Sequence, residues 1–184
     1  MLEKLRFKLG LLYIQLKFRK KKDSMLNFTE FIREDSRILI FMPEDPLDFE
    51  EAKYAIMNLK KDWPNLQPTL LVRSHFSSIN DLDKLYKIFP FSSLDINKFY
   101  LPKKRFRNII SDYNYDLVID FNKEINLLSS YIAKKVNVKY RISFVKDYSD
   151  KFYNFQFNPN SVIHNKNLYT SLMKKLKMFC YKEA

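Results

Sequence analysis

The chain is 184 residues long, 46% hydrophobic and 16% aromatic, which suits one packed domain and excludes disorder over most of its length. A single glycine, Gly10, excludes the P-loop and the G-x-G-x-x-G fingerprint, and a single cysteine, Cys180, excludes an internal disulfide and a cysteine-built zinc cluster. His75 and His164 stand too far apart to suggest a metal pair, no cofactor is implied, and the net charge of +12 points to an anionic partner.

In chain order, residues 2–18 set Leu2, Leu5, Leu9, Leu12 and Leu16 at alternating steps of three and four, with Phe7, Leu11, Ile14 and Phe18 beside them. That spacing predicts an amphipathic helix. Residues 1–22 also hold Lys4, Arg6, Lys8, Lys17, Arg19, Lys20, Lys21 and Lys22 against Glu3 alone, so +7 of the +12 lies here. The uncharged run from Leu9 to Leu16 is far shorter than the roughly 20 residues that span a bilayer, and the segment lacks the cleavage site of a signal peptide. Two readings stay open for it. In one, the helix lies on an anionic membrane and the eight cations face that surface; in the other, it packs on the domain with its lysines in water. We take 1–35 as a basic helical segment, with a short second helix over 28–35 capped by Asn27 or Thr29, and 36–184 as the domain proper.

Residues 37–42, Arg-Ile-Leu-Ile-Phe-Met, form an apolar run that Pro43 and Pro46 cut short, and residues 48–61 then show helical spacing. This is a buried parallel strand, a tight turn and a helix. Further strands are predicted at 69–74, 94–101, 116–121 and 140–144, and further helices at 79–88, 103–113, 125–136 and 167–179. Alternation of this kind predicts an α/β Rossmann-like domain, its mostly parallel sheet covered by helices on both faces. Ligands of such sheets bind beyond the carboxyl ends of the strands, so the loops beginning at Pro43, Ser74, Asn122 and Val145 are the places to look.

Those loops do not carry phosphate-binding chemistry at the first turn. Pro43 and Pro46 offer no N–H, and Glu44, Asp45 and Asp48 repel phosphate. Asp48 reads either as the N-cap of the helix it begins or as a general base for a hydroxyl. Asp120 and Asn122 end a core strand at the edge where a site would form, although such residues also serve simply to fix a turn. Lys103, Lys104, Arg105 and Arg107 open a helix and read as a solvated face or as a clamp for the phosphates of an acidic ligand. His75 with Ser77 and Ser78 lacks the third member of a nucleophilic set, and His164 reads as structural.

The ordered set of segments resembles the family 9 glycosyltransferases, the heptosyltransferases of lipopolysaccharide assembly. Arg-Ile-Leu-Ile-Phe at 37–41 followed by Asp48 is similar to the family's opening, Asp-Trp-Pro-Asn at 62–65 to the turn after its first helix, and Tyr-Asp-Leu-Val-Ile-Asp-Phe at 115–121 to its best-marked internal strand. Residues 129–144 resemble the helix, basic turn and strand that follow, and residues 164–176 the connection toward a second domain. The resemblance implies the N-terminal half of a GT-B enzyme, with Asp48 at the position of the catalytic base. Leu47 stands where the family has glycine, and the chain stops where the nucleotide-sugar-binding half would begin.

The expectation is therefore a half-length relative, cytoplasmic or peripheral on the inner face of the cytoplasmic membrane. It would be non-catalytic alone and would bind an acidic glycan, a lipid or a protein partner. An active transferase completed by a partner chain or a homodimer is the alternative. Nucleic-acid binding ranks below both, because the excess charge is concentrated in one amphipathic segment and most aromatics sit at core-like spacing.

Overall fold

The computed structural model describes residues 2–21, 32–33, 35–76, 79–159 and 167–181. A six-stranded, fully parallel sheet organises them, built from β2 (Arg37–Phe41), β3 (Gln67–Arg73), β4 (Lys87–Phe91), β5 (Leu117–Asp120), β6 (Tyr140–Phe144) and β7 (Phe155–Phe157). Their order across the sheet is β4-β3-β2-β5-β6-β7. The chain thus winds one way from β2 through β3 to β4 and the other way from β5 to β7. Between β2 and β5 lies the topological switch point, where a crevice opens at the carboxyl edge of such a sheet. A separate parallel pair joins β1 (Ile32–Arg33) to β8 (Cys180–Tyr181).

The apolar runs become central strands because both faces of the sheet are covered. From β2, Ile38 and Ile40 point into one core with Phe49, Ile56, Tyr169 and Leu172, beneath α2 (Pro46–Met57) and α7 (Leu168–Lys177). Leu39 and Phe41 point into the other with Ile14, Phe106, Leu128 and Tyr131. That second layer contains α1 (Leu2–Lys17), α5 (Lys104–Ser111) and α6 (Leu127–Lys135). Each fully buried side chain of this kind contributes about 1.5–3 kcal/mol, so the two layers dominate stability.

Helix α1 belongs to this second layer. Ile14 is fully buried, Leu11 nearly so, and Phe7 and Phe18 pack against the same core. Lys17 donates to the hydroxyl of Tyr131 at 2.6 Å, and Lys21 donates to the carbonyls of Lys134 and Val136 at 2.8 and 3.0 Å, where α6 leaves its last acceptors free. Two of the cations expected on a membrane surface therefore tie the helix down.

Several boundaries differ from expectation. The predicted second helix falls largely outside the described residues, and its Ile32 and Arg33 are in a strand. The helix expected over 79–88 stops at Asp83 as α4 (Ile79–Asp83), and residues 87–91 form β4. Pro90 has no N–H for a ladder, which disguises this strand, but β4 is at the edge of the sheet, where proline is tolerated. The strand expected over 94–101 is a 3-10 turn (Ser93–Asp95) capped reciprocally by Ser92 and Asp95, followed by a loop in which Asn97 Oδ1 accepts from the N–H groups of Phe99 and Leu101. After α2 a short helix, α3 (Leu59–Asp62), completes the crossover.

Candidate functional site at the carboxyl edge

The loop after β2 places its acids differently from expectation. Asp45, not Asp48, caps α2: its carboxylate accepts from the N–H groups of Leu47 and Asp48, each at 3.0 Å. Pro46 fixes the first helical residue, which puts the cap immediately before it. Asp48 is the third residue of the helix and pairs with Lys123 at 2.5 Å. Its carboxylate faces a small cavity of about 380 Å³ with Pro43, Asn122 and Asn126.

Glu44 is the residue that this loop aims at the crevice. Its Oε2 accepts from Arg73 Nε at 2.7 Å and its Oε1 from Asn126 Nδ2 at 2.5 Å, while its backbone N–H donates to Asn122 Oδ1 at 3.3 Å. Arg73 ends β3, and Asn126 caps α6 by accepting from the N–H of Ser129. The end of β3 and the loop after β5 thus hold one carboxylate in a single orientation.

Beneath it, Asp120 is fully buried and fully engaged. Tyr153 donates to its Oδ2 at 2.5 Å and Lys146 at 2.8 Å, and Asn122 donates to its Oδ1 from both the backbone (3.0 Å) and the side chain (2.7 Å). Lys146 also donates to the Asn122 carbonyl at 2.6 Å. Asp120 is therefore a support, one step removed from any ligand: it fixes Asn122, which meets Glu44. Burial, and then the neighbouring Asp120 carboxylate, push the Tyr153 hydroxyl well above its ordinary pKa, so it remains a donor.

Glu44 and Arg73 open onto a larger cavity of about 890 Å³, bounded by Lys4, Phe7 and Lys8 of α1 on one side and Tyr100, Asp147 and Tyr148 on the other. Tyr100 and Tyr148 have φ of 62° and 59°, a left-handed backbone that side chains disfavour. Both of these strained residues are on this cavity, and strain of this kind concentrates where structure serves binding. Aromatic faces, a fixed carboxylate and an amide line it, with Lys4 and Lys8 set beside Glu3 and Asp147.

The other predicted residues lie elsewhere. Lys103, Lys104 and Arg107 line a separate groove of about 620 Å³ between α1 and residues 97–107, and Arg105 is exposed beside it. Arg107 also donates to the Tyr131 hydroxyl at 2.8 Å. Arg6 is half-buried, Arg19 and Lys20 are exposed, and Lys22, Ser77, Ser78 and His164 lie outside the described residues. His75 is exposed and packs on Phe76. Among the described residues no group of His, Cys, Asp or Glu is arranged to hold a metal. The loops marked from the sequence, beginning at Pro43, Ser74, Asn122 and Val145, all leave this edge of the sheet, whereas Glu44, Arg73, Asn126, Tyr100 and Tyr148 were not among the candidate site residues. The available signal was a carboxylate and an amide in the loops after the two strands that flank the switch point.

Comparison with known structures agrees with this architecture. E. coli heptosyltransferase WaaC with ADP-2-deoxy-2-fluoro heptose superposes with a TM-score of 0.55 at 18% identity over 76% of this chain and 47% of that one. The same enzyme with ADP gives 0.53 at 17% identity, covering 76% and 46%. A family 9 glycosyl transferase from Veillonella parvula DSM 2008 gives 0.53 at 14% identity, covering 84% and 43%. No protein-family model and no curated protein matches the sequence. The chain spans a little under half the length of these structures and shares their Rossmann-like fold over that part.

Proposed function

We propose that this domain is the acceptor-binding half of a glycosyltransferase cleft, that it takes an acidic glycan at the carboxyl edge of its sheet, and that it does not transfer sugar by itself. The supporting observation is Glu44, clamped by Arg73 and Asn126 at the wall of a cavity that Tyr100 and Tyr148 flank in strained conformations. A carboxylate held this way accepts hydrogen bonds from sugar hydroxyls with little ordering cost, and the tyrosine rings offer flat faces to the sugar's C–H groups. Lys4 and Lys8 offer cations to the ligand's negative groups, beside Glu3 and Asp147 of the same cavity.

The other side of the cleft, which would carry the nucleotide sugar, comes in this reading from a second domain on a partner protein or a second copy. With that half in place, Glu44 or Asp48 is positioned to take the proton of an acceptor hydroxyl. The test is titration of the full chain with deacylated lipopolysaccharide and, separately, with ADP. Saturable binding of the glycan that falls at least tenfold in Glu44→Gln, with no binding of ADP, supports the proposal. Tight ADP binding without glycan binding overturns it.

A further inference from the structure

Packing against the domain uses only one side of α1. Phe7, Leu11, Ile14 and Phe18 turn inward, which leaves Leu2, Leu5, Leu9, Leu12 and Leu16 between 45 and 60% exposed along the opposite side, with Tyr13 at 45% beside them. Single exposed leucines are ordinary, but five in a continuous stripe mark an interaction surface. The stripe does not stand alone. Leu9 and Tyr13 form one wall of the 620 Å³ groove whose other wall carries Lys103 and Lys104, so two features distant in sequence meet on one face. Around them, Lys4, Lys8, Arg19 and Lys20 are also exposed, and Glu3 is the one acid of the helix.

We propose that this face docks on a bilayer containing anionic phospholipid, its leucines at the boundary of headgroups and acyl chains and its lysines among the phosphates. The proposal stands apart from the transferase reading, since the stripe, Arg19, Lys20, Lys103 and Lys104 do not line the cavity of Glu44. Charge decides the occupant. The leucine spacing also matches a coiled-coil seam, but the positions flanking Leu5 and Leu9 are Arg6 and Lys8, so a second copy would bring like charges together. Sixteen residues also amount to little more than two heptads, a marginal length for a coiled coil. Among the described residues no helix is long and apolar enough to cross a membrane, which leaves docking on its surface.

The experiment is flotation of the full chain with phosphatidylcholine vesicles, with and without phosphatidylglycerol. At least tenfold stronger partition into the anionic vesicles is expected, weakening as salt rises. Leu5→Ser/Leu12→Ser/Leu16→Ser removes about tenfold or more of that binding, and Lys103→Glu/Lys104→Glu removes at least about thirtyfold by charge alone. Near-ultraviolet circular dichroism verifies folding of both variants; should the serine variant misfold, the charge variant decides. Equal binding to both vesicle types overturns the proposal, as does undiminished binding by the charge variant or by a folded serine variant. Light scattering that shows a dimer dissolved by the serine changes, with vesicle binding intact, assigns the stripe to a second copy instead.

Discussion

Gly10 of α1 is seated directly against the backbone carbonyl of Phe99, so closely that a Cβ added there would overlap that oxygen and stand 2.9 Å from Leu127 Cδ1. The single glycine of the chain is therefore a contact surface. It lets the helix approach both the 97–101 loop and α6, so that its N-terminal half lines one cavity and its middle the other.

Gly10→Ala tests this contact. In an exposed helix the change stabilises by about 1 kcal/mol; here backbone stands in the way, and overpacking of this kind costs about 1–3 kcal/mol. We expect net destabilisation in chemical denaturation, with faster hydrogen exchange confined mainly to α1.

The Asp120 cluster predicts strong coupling. Lys146→Met leaves a buried carboxylate without its cation, and loss of about 3–5 kcal/mol is expected. Lys146→Met combined with Asp120→Asn should cost less than the sum of the two single changes, because each removes the other's reason to be charged. A double-mutant cycle by urea denaturation measures the difference.

Tyr153 sets an alkaline limit. Its pKa in the folded protein is raised above the ordinary 10.0 by burial first and then by Asp120, so the folded state holds this proton more tightly than the unfolded one. The stability linked to it is complete below pH 10 and is lost as pH climbs from there toward the folded value. Chemical denaturation followed from pH 8 to 11 should show that fall. Tyr153→Phe lowers stability at neutral pH and makes the fall shallower.

The two loop aspartates separate by substitution. Asp45→Ala removes the cap of α2 and should cost about 1 kcal/mol. Asp48→Asn breaks a pair whose lysine is 44% exposed and should cost no more than about 1 kcal/mol. Thermal melts compare them; an Asp48 change well above the Asp45 change would reverse the assignment.

What the sequence made legible follows from how each segment meets water. Ile38 to Phe41 and Leu117 to Ile119 are apolar on both sides because both sides are covered, and such runs announce themselves. Lys87–Phe91 did not, since its edge position exposes it and Pro90 breaks the pattern. Phe155–Phe157 is too short to show a period. Glu44 looked repulsive when read beside Asp45 and Asp48; only the fold brings Arg73 and Asn126 to it from 29 and 82 residues away. The meeting of α1 with Lys103 and Lys104 is likewise tertiary, and no spacing rule along the chain encodes it.

Pro90 has one further consequence, for assembly. A parallel sheet grows sideways when an incoming strand finds a free ladder of donors and acceptors, and at the β4 border that ladder has a gap where the imide nitrogen offers nothing. Neither amyloid-like stacking nor sheet-to-sheet fusion between protomers is favoured along that margin. A strand that tries to pair there meets that gap, and the opposite border, β7, offers only the three residues Phe155–Phe157.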